Sequence, residues 1–200
     1  MLRTASVEEM LRRKALVAGA ALLGLLLAGC GGPAENPPSD GRGTTEQPTT
    51  GQKPATPPRT GPAKAAEIAS KCSIVVESQW NSLGADQEPR ERTSNGLAGC
   101  QYQKGKAGTA GWGVFVAVSG NASFDEEVGK RRDPSKIADL AGYPAAAYQE
   151  STGCVLYVNT SDKGFLISNI AKTSTADPGV DMCQQAEKFA EAAIQNLPNA

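Results

Sequence analysis

The sequence predicts an α+β domain, with an antiparallel sheet of about five to six strands, N- and C-terminal helices packed on one face of that sheet, and two disulfides. Three observations carry this prediction. Helical patterns open and close residues 64–200, strand-like runs lie between them, and four cysteines fall in the same region. A helix, several strands and a final helix in that order favour a sheet with one helix-covered face.

The first elements are a helix and two strands. Trp80 and Leu83 lie three residues apart on one helix face, and Gly84 suits the position just after the helix end. Residues 98–102 alternate apolar and polar side chains, and residues 112–118 do the same with valines on one face. Both runs predict strands, and the glycine-rich stretch between them predicts a hairpin loop.

A capping box predicts a short helix next. Ser123 and Glu126 have the spacing that satisfies two backbone N–H groups at a helix start. Lys130, Arg131 and Arg132 are expected in its last turn, where cations complement the helix dipole. A basic patch for anionic lipid or wall polymer is the alternative interpretation of these three residues.

Four further strands and a closing helix complete the prediction. Residues 137–140 and 145–149 predict short strands, joined by a turn at Gly142-Tyr143-Pro144, and residues 154–159 and 165–171 predict a hairpin. The last helix is predicted by an apolar stripe and is stopped by Pro198. The stripe contains Cys183, Ala186, Phe189, Ala190, Ala193, Ile194 and Leu197.

The N-terminus has the pattern of a signal peptide over residues 1–29. Four basic residues among the first 14 precede an unbroken apolar run at residues 15–28. A helix that crosses a bilayer needs about 20 apolar residues, so this run has the length of a signal segment. An uncleaved membrane-anchoring helix is the alternative.

The end of that run resembles the lipobox of bacterial lipoproteins. All four motif positions match at Leu27, Ala28, Gly29 and Cys30. The small residues let a peptidase approach the extended backbone, and the thiol is the group that accepts a diacylglyceryl chain. The resemblance implies cleavage before Cys30 and a stable lipid anchor, because each acyl methylene contributes about 0.8 kcal/mol of membrane affinity.

Residues 30–63 are expected to be the lipidated cysteine followed by a disordered tether. Residues 31–63 contain no Val, Ile, Leu, Met, Phe, Trp or Tyr and hold eight of the 13 prolines. Such a composition cannot bury a core. The globular domain is therefore predicted at residues 64–200, held off the membrane by a Pro-, Thr- and Gly-rich spacer.

The four remaining cysteines predict two disulfides, because an even number in an exported domain is typical of paired thiols. Cys72 with Cys100 and Cys154 with Cys183 is the favoured pairing, since each bond would join a helix start to a strand start across a similar loop. A nested pairing of Cys72 with Cys183 remains open. A zinc site is disfavoured because no Cys-x-x-Cys pair is present.

Composition excludes several classes of function. The chain has no histidine, which excludes Ser-His-Asp and Cys-His catalysis and imidazole metal sites. A formal charge of -1 lacks the basic footprint of a nucleic-acid-binding protein. We expect no metal, no cofactor and no catalytic residue, and Tyr143 and Tyr148, which flank a proline turn, are the candidates for exposed ligand contacts.

Residues 71–198 resemble the domain of unknown function numbered 3558, found in actinobacterial lipoproteins. The resemblance covers residues 71–198 and includes Cys72-Ser73-Ile74-Val75, Gly99-Cys100, Gly142-Tyr143-Pro144-Ala145, the strand that begins at Cys154, and the closing helix around Cys183. Tyr102 stands where the family usually has Trp, and Val76-Glu77 where it often has Thr-Pro. The resemblance implies export, lipidation and fold, and it implies no activity.

The sequence thus leads us to expect a lipoprotein anchored on the extracellular face of the cell membrane. Its expected role is to bind a protein, a lipid or an envelope polysaccharide. A hydrolase that acts on envelope material through carboxylates, or through a serine with a lysine, is the first alternative. A purely structural surface component is the second.

Overall fold

The computed structural model describes residues 56–106, 108–173 and 179–200, which form seven strands, three α-helices and one 3-10 turn. The elements in chain order are the 3-10 turn Lys71–Ile74, α1 Glu77–Ser82, β1 Gln87–Ser94, β2 Leu97–Lys104, β3 Trp112–Ser119, α2 Phe124–Gly129, β4 Lys136–Asp139, β5 Pro144–Gln149, β6 Gly153–Ser161, β7 Gly164–Lys172 and α3 Met182–Asn196.

The strands form one sheet in the order β1-β2-β3-β7-β6-β5-β4, and every neighbouring pair is antiparallel. β3 and β7 are the central pair, in register from Trp112 opposite Lys172 to Ser119 opposite Phe165. The predicted α+β class and antiparallel sheet are confirmed. The predicted strand number is too low, because the sheet has seven strands.

The strand missing from the sequence prediction is β1. Its sequence, QEPRERTS, has no apolar alternation, and most of its residues are exposed. β1 lies at the edge of the sheet, where charged side chains and a proline such as Pro89 prevent pairing with another chain. The signal that identifies it is Asn95-Gly96, a dipeptide whose two positive φ angles, 50° and 77°, suit a two-residue hairpin turn.

The first face of the sheet carries the larger core, formed by one set of alternating strand residues together with residues of α1 and α3. Phe189 of α3 is fully buried, with its ring 5.3 Å from Tyr102 and 5.7 Å from Trp112. Trp80 of α1 and Leu83, the residue that follows this helix, pack against the same cluster. The predicted packing of both terminal helices on one face is therefore confirmed.

The second face of the sheet is covered in part by α2. Phe124 and Val128 of this helix pack onto Tyr148, Tyr157 and Phe165. Ser123 accepts a hydrogen bond from the Glu126 N–H, so the predicted capping box is present. The helix ends at Gly129, which places Arg131 and Arg132 beyond the last turn in which they were expected.

Two disulfides attach these layers to one another. Cys72 in the 3-10 turn is bonded to Cys100 of β2, and Cys154 of β6 is bonded to Cys183 of α3. The bonds close loops of 28 and 29 residues. The favoured pairing is the one present, and the nested pairing of Cys72 with Cys183 is not.

Candidate functional site

The candidate site is the half of the second sheet face that α2 leaves open, named here the second-face groove. Paired residues share a sheet face, and the pairs Arg90–Gln101, Gln101–Phe115 and Phe115–Asn169 place one row of side chains across β1, β2, β3 and β7. The next row crosses the same strands at Arg92, Gly99, Ala117 and Ile167. Clefts lie between the larger side chains of these rows.

Two adjoining clefts make up the groove, with volumes of about 350 and 290 Å³. The first lies beside α2 and the second lies toward β1. Ser94, Phe115 and Asn169 line both clefts, so the two are continuous. A larger cleft of about 510 Å³ lies at residues 66–71 and is lined mainly by small side chains.

The cleft beside α2 has an apolar floor formed by Leu97, Phe115, Tyr157, Phe165 and Ile167. The last four of these side chains are each at most 6% exposed, so the floor is closed and shallow. A floor of this kind supports a ligand from beneath and does not enclose one.

One wall of this cleft is charged and fixed. The Arg131 guanidinium lies 4.4 Å from the centre of the Tyr157 ring, a cation–π geometry. It also forms an ion pair of 2.7 Å with Glu127 on α2. Burial raises the pKa of Tyr157 to about 12, and the nearby Arg131 charge acts in the opposite direction. Tyr157 therefore presents a neutral hydroxyl at physiological pH.

The cleft toward β1 is polar. Arg92 donates to the Gln101 carboxamide oxygen at 3.2 Å, and the Gln101 amide donates to the Tyr102 carbonyl at 3.1 Å. Gln101 lies across Gly113, where a Cβ atom would stand 2.7 Å from the Gln101 nitrogen. The absence of a Cβ atom at Gly113 thus gives this side chain room to lie flat and hold Arg92.

Two polar side chains in the groove have unused hydrogen-bonding capacity. Across the part of the chain that the structure describes, neither the Arg90 guanidinium nor the Asn169 carboxamide makes a hydrogen bond or ion pair. Arg90 is exposed and Asn169 is half-buried. A guanidinium and a carboxamide in one groove offer donors for a carboxylate or a hydroxyl.

The groove carries a local excess of positive charge. Its two clefts are lined by three arginines on this face, Arg90, Arg92 and Arg131, and by one acidic residue, Glu127. Residues 64–200 as a whole hold 13 basic and 16 acidic residues, a net charge of -3. The groove is therefore locally basic on an acidic domain.

The expectation that Tyr143 and Tyr148 are exposed contacts is wrong, because each is 3% exposed. Tyr148 lies under α2, with its ring edge against Tyr157 at 6.0 Å. Tyr143 is covered by residues 61–62, and its hydroxyl donates to the Pro62 carbonyl at 2.8 Å. A turn that contains a proline is usually exposed. Here residues 61–62 fold over the turn and bury Tyr143.

The same contacts move the start of the folded domain ahead of residue 64. Arg59 forms a 2.7 Å ion pair with Asp162 and donates to the side-chain carboxamide oxygen of Asn159 at 3.1 Å. The Thr60 and Gly61 N–H groups both donate to the Gly142 carbonyl. Residues 59–63, predicted as the end of the tether, are thus part of the domain. Leu27, Ala28, Gly29 and Cys30 lie outside the described residues.

Sequence reasoning missed the residues of the groove, since Arg90 and Arg92 lie on the undetected strand β1. The available signal was the polar alternation of residues 101 and 103 along β2, which indicates a sheet face without a helix over it. In the described ranges, no three His, Cys, Asp or Glu side chains converge as a metal site. No described helix is both long enough and apolar enough to cross a bilayer.

Comparison with known proteins gives one match. No curated protein and no solved structure matches the chain significantly. A family model described as "Protein of unknown function (DUF3558)" matches residues 25–196, which is most of the chain. The chain therefore belongs to the family of proteins of unknown function DUF3558.

Proposed function

We propose that this protein is a lipoprotein, anchored through Cys30 on the extracellular face of the cell membrane, whose domain binds an envelope ligand in the second-face groove. The observation that carries the binding role is the groove itself: two continuous clefts with a closed apolar floor, and the unengaged donors of Arg90 and Asn169. A few polar groups that converge over an apolar floor are typical of ligand sites.

The anchor is supported by the sequence and by the disulfides. Leu27-Ala28-Gly29-Cys30 follows an apolar run of signal-peptide length, and the family match begins before this motif, at residue 25. The bonds Cys72–Cys100 and Cys154–Cys183 suit an oxidising compartment outside the cytoplasm.

Fractionation with mass spectrometry tests the anchor. The full chain, expressed in a host that processes lipoproteins, is expected in the membrane fraction with Cys30 acylated and as the first residue. Cys30→Ala is expected to lose the acyl mass, whereas the control Ser39→Ala keeps it. A membrane-bound Cys30→Ala protein with wild-type processing contradicts the anchor.

A variant that fills the groove without a change in charge tests the binding site. Ser94 lines both clefts on the exposed edge strand, so Ser94→Trp is expected to fill the groove and keep the fold. The full chain, purified from membranes in detergent, is mixed with isolated cell envelopes and sedimented. Ser94→Trp is expected to lose cosedimentation, while Ser151→Trp, at an exposed turn outside the groove, keeps it.

The same samples separate the alternatives. Equal cosedimentation of wild type and Ser94→Trp places the ligand contact elsewhere and refutes the groove as the site. Release of soluble fragments from the envelopes by the wild type would instead indicate the hydrolase. Absence of cosedimentation by the wild type would favour a structural surface component.

A further inference from the structure

Resting on the proposed binding function, we propose that the ligand of the second-face groove is an acidic glycan, a chain of sugar rings that carries carboxylates. Charge is the first reason. The groove is lined by three arginines, Arg90, Arg92 and Arg131, and one carboxylate, Glu127, although residues 64–200 carry 16 acidic residues against 13 basic. Glu127 is ion-paired with Arg131 and Lys130, so Arg90 and Arg92 are the lining arginines without an ion-pair partner among the described residues. An anionic ligand is complementary to this face.

The two arginines of β1 are arranged for carboxylates. Arg90 and Arg92 are two residues apart on one strand, so both project over the same sheet face. Gln101 holds one donor of Arg92 at 3.2 Å and leaves its other donors free, while Arg90 has no described partner. Guanidinium groups bind carboxylates through paired hydrogen bonds, which a neutral ligand cannot supply.

Carboxamides beside the arginines suit sugar hydroxyls. Gln101, Gln103 and Asn169 lie on the same face within the polar cleft. A carboxamide both donates and accepts, as a hydroxyl does, and Asn169, which makes no side-chain hydrogen bond among the described residues, can pair with a sugar hydroxyl in either orientation. The combination of arginines and carboxamides in one channel therefore matches a ligand with carboxylates and hydroxyls in alternation.

The groove fits peptides and lipids less well. Its floor is the face of paired strands, so the backbone groups of β2, β3 and β7 are used within the sheet and cannot add an extended peptide. An acyl chain needs an apolar channel, and the apolar floor residues Phe115, Tyr157, Phe165 and Ile167 are at most 6% exposed. The ligand is therefore recognised by the polar side chains that project from the sheet face, and not by backbone groups or by an apolar channel.

Calorimetry with defined oligomers tests this proposal on the detergent-purified full chain. Hexagalacturonate supplies carboxylates on sugar rings, its fully methyl-esterified form supplies the same rings without charge, and hexaglutamate supplies carboxylates without rings. Glycerol 3-phosphate represents a lipid headgroup. We expect hexagalacturonate to bind at least tenfold more tightly than each of the other three.

Charge-removing variants locate the contact. Arg90→Gln is expected to weaken hexagalacturonate binding by about tenfold, the effect of one hydrogen bond to a charged group. Lys188→Gln removes one exposed charge from α3 on the other side of the sheet and is expected to leave binding unchanged. Because Arg90 is exposed and unpaired, its loss leaves the fold intact; urea unfolding of the variant verifies this.

The outcomes distinguish this proposal from the proposed function. If Ser94→Trp loses envelope binding but the wild type binds the methyl ester, hexaglutamate or glycerol 3-phosphate as tightly as hexagalacturonate, the groove is a site and the acidic glycan is wrong. Unchanged hexagalacturonate binding by Arg90→Gln also overturns the glycan proposal. If Ser94→Trp does not fold, Asn169→Leu, which replaces an unpaired carboxamide at the centre of the groove, takes its place.

Discussion

Removal of one disulfide should destabilise the domain by a predictable amount. The bond Cys154–Cys183 closes a loop of 29 residues, and loop-closure entropy for this length corresponds to about 3.6 kcal/mol of unfolding free energy at 25 °C. The bond Cys72–Cys100 closes 28 residues, so its removal should cost nearly the same. The paired substitutions to alanine, Cys154→Ala with Cys183→Ala and Cys72→Ala with Cys100→Ala, provide the test.

Urea unfolding followed by tryptophan fluorescence measures both losses. Trp112 is 1% exposed on the first sheet face, so its emission reports exposure of the core. Each double variant should unfold in a single transition whose free energy is about 3 to 4 kcal/mol below the wild type. A loss of less than about 1 kcal/mol for either pair would contradict the stabilising role assigned to that bond.

Three further predictions concern the core, the tyrosines and the N-terminal segment. Phe189→Ala should lower the free energy of unfolding, measured in urea, by about 4 kcal/mol, because it removes a fully buried ring packed on Tyr102 and Trp112. A decrease near 1 kcal/mol would contradict the central place of α3 in the core. Burial raises the pKa of Tyr157 to about 12, above its unfolded value near 10, so its contribution to stability is present below about pH 10 and lost as the pH rises toward 12. The unfolding free energy of the wild type should therefore fall between about pH 10 and pH 12, and it should fall less steeply for Tyr157→Phe. The same pH dependence in both proteins would refute ionisation of Tyr157 as the cause. Arg59→Ala should speed hydrogen exchange at the Thr60 and Gly61 amides by about fivefold, equivalent to an ion pair of ~1 kcal/mol, and unchanged exchange means that Arg59 does not hold the segment.

The elements with an apolar pattern were predictable from the sequence, because each buries one face. The valines of β3 alternate into the first-face core, and the apolar stripe of α3 lies against the same core. The disulfide pairing was favoured, though not determined, by the similar loops that Cys72–Cys100 and Cys154–Cys183 close. β1 escaped prediction because an edge strand buries no continuous face and so carries no apolar alternation.

The candidate site was not predictable by the same reasoning. Arg90 and Asn169 lie 79 positions apart in the sequence and share a groove only because β1, β2, β3 and β7 pair in one register. Tyr143 and Tyr148 were expected to be exposed because they flank Pro144, but burial depends on what covers a turn. Residues 61–62 cover the first tyrosine and α2 covers the second, and neither contact leaves a local signal in the sequence.

The most direct test of this account is a nuclear magnetic resonance titration of the full chain in detergent with hexagalacturonate. We expect the shifted amides to cluster on β1, β2, β3 and β7, with the largest changes near Arg90, Gln101 and Asn169, and the amides of α3 to stay unshifted. Shifts confined to α3 or to the cleft at residues 66–71, with the groove amides unmoved, would contradict it.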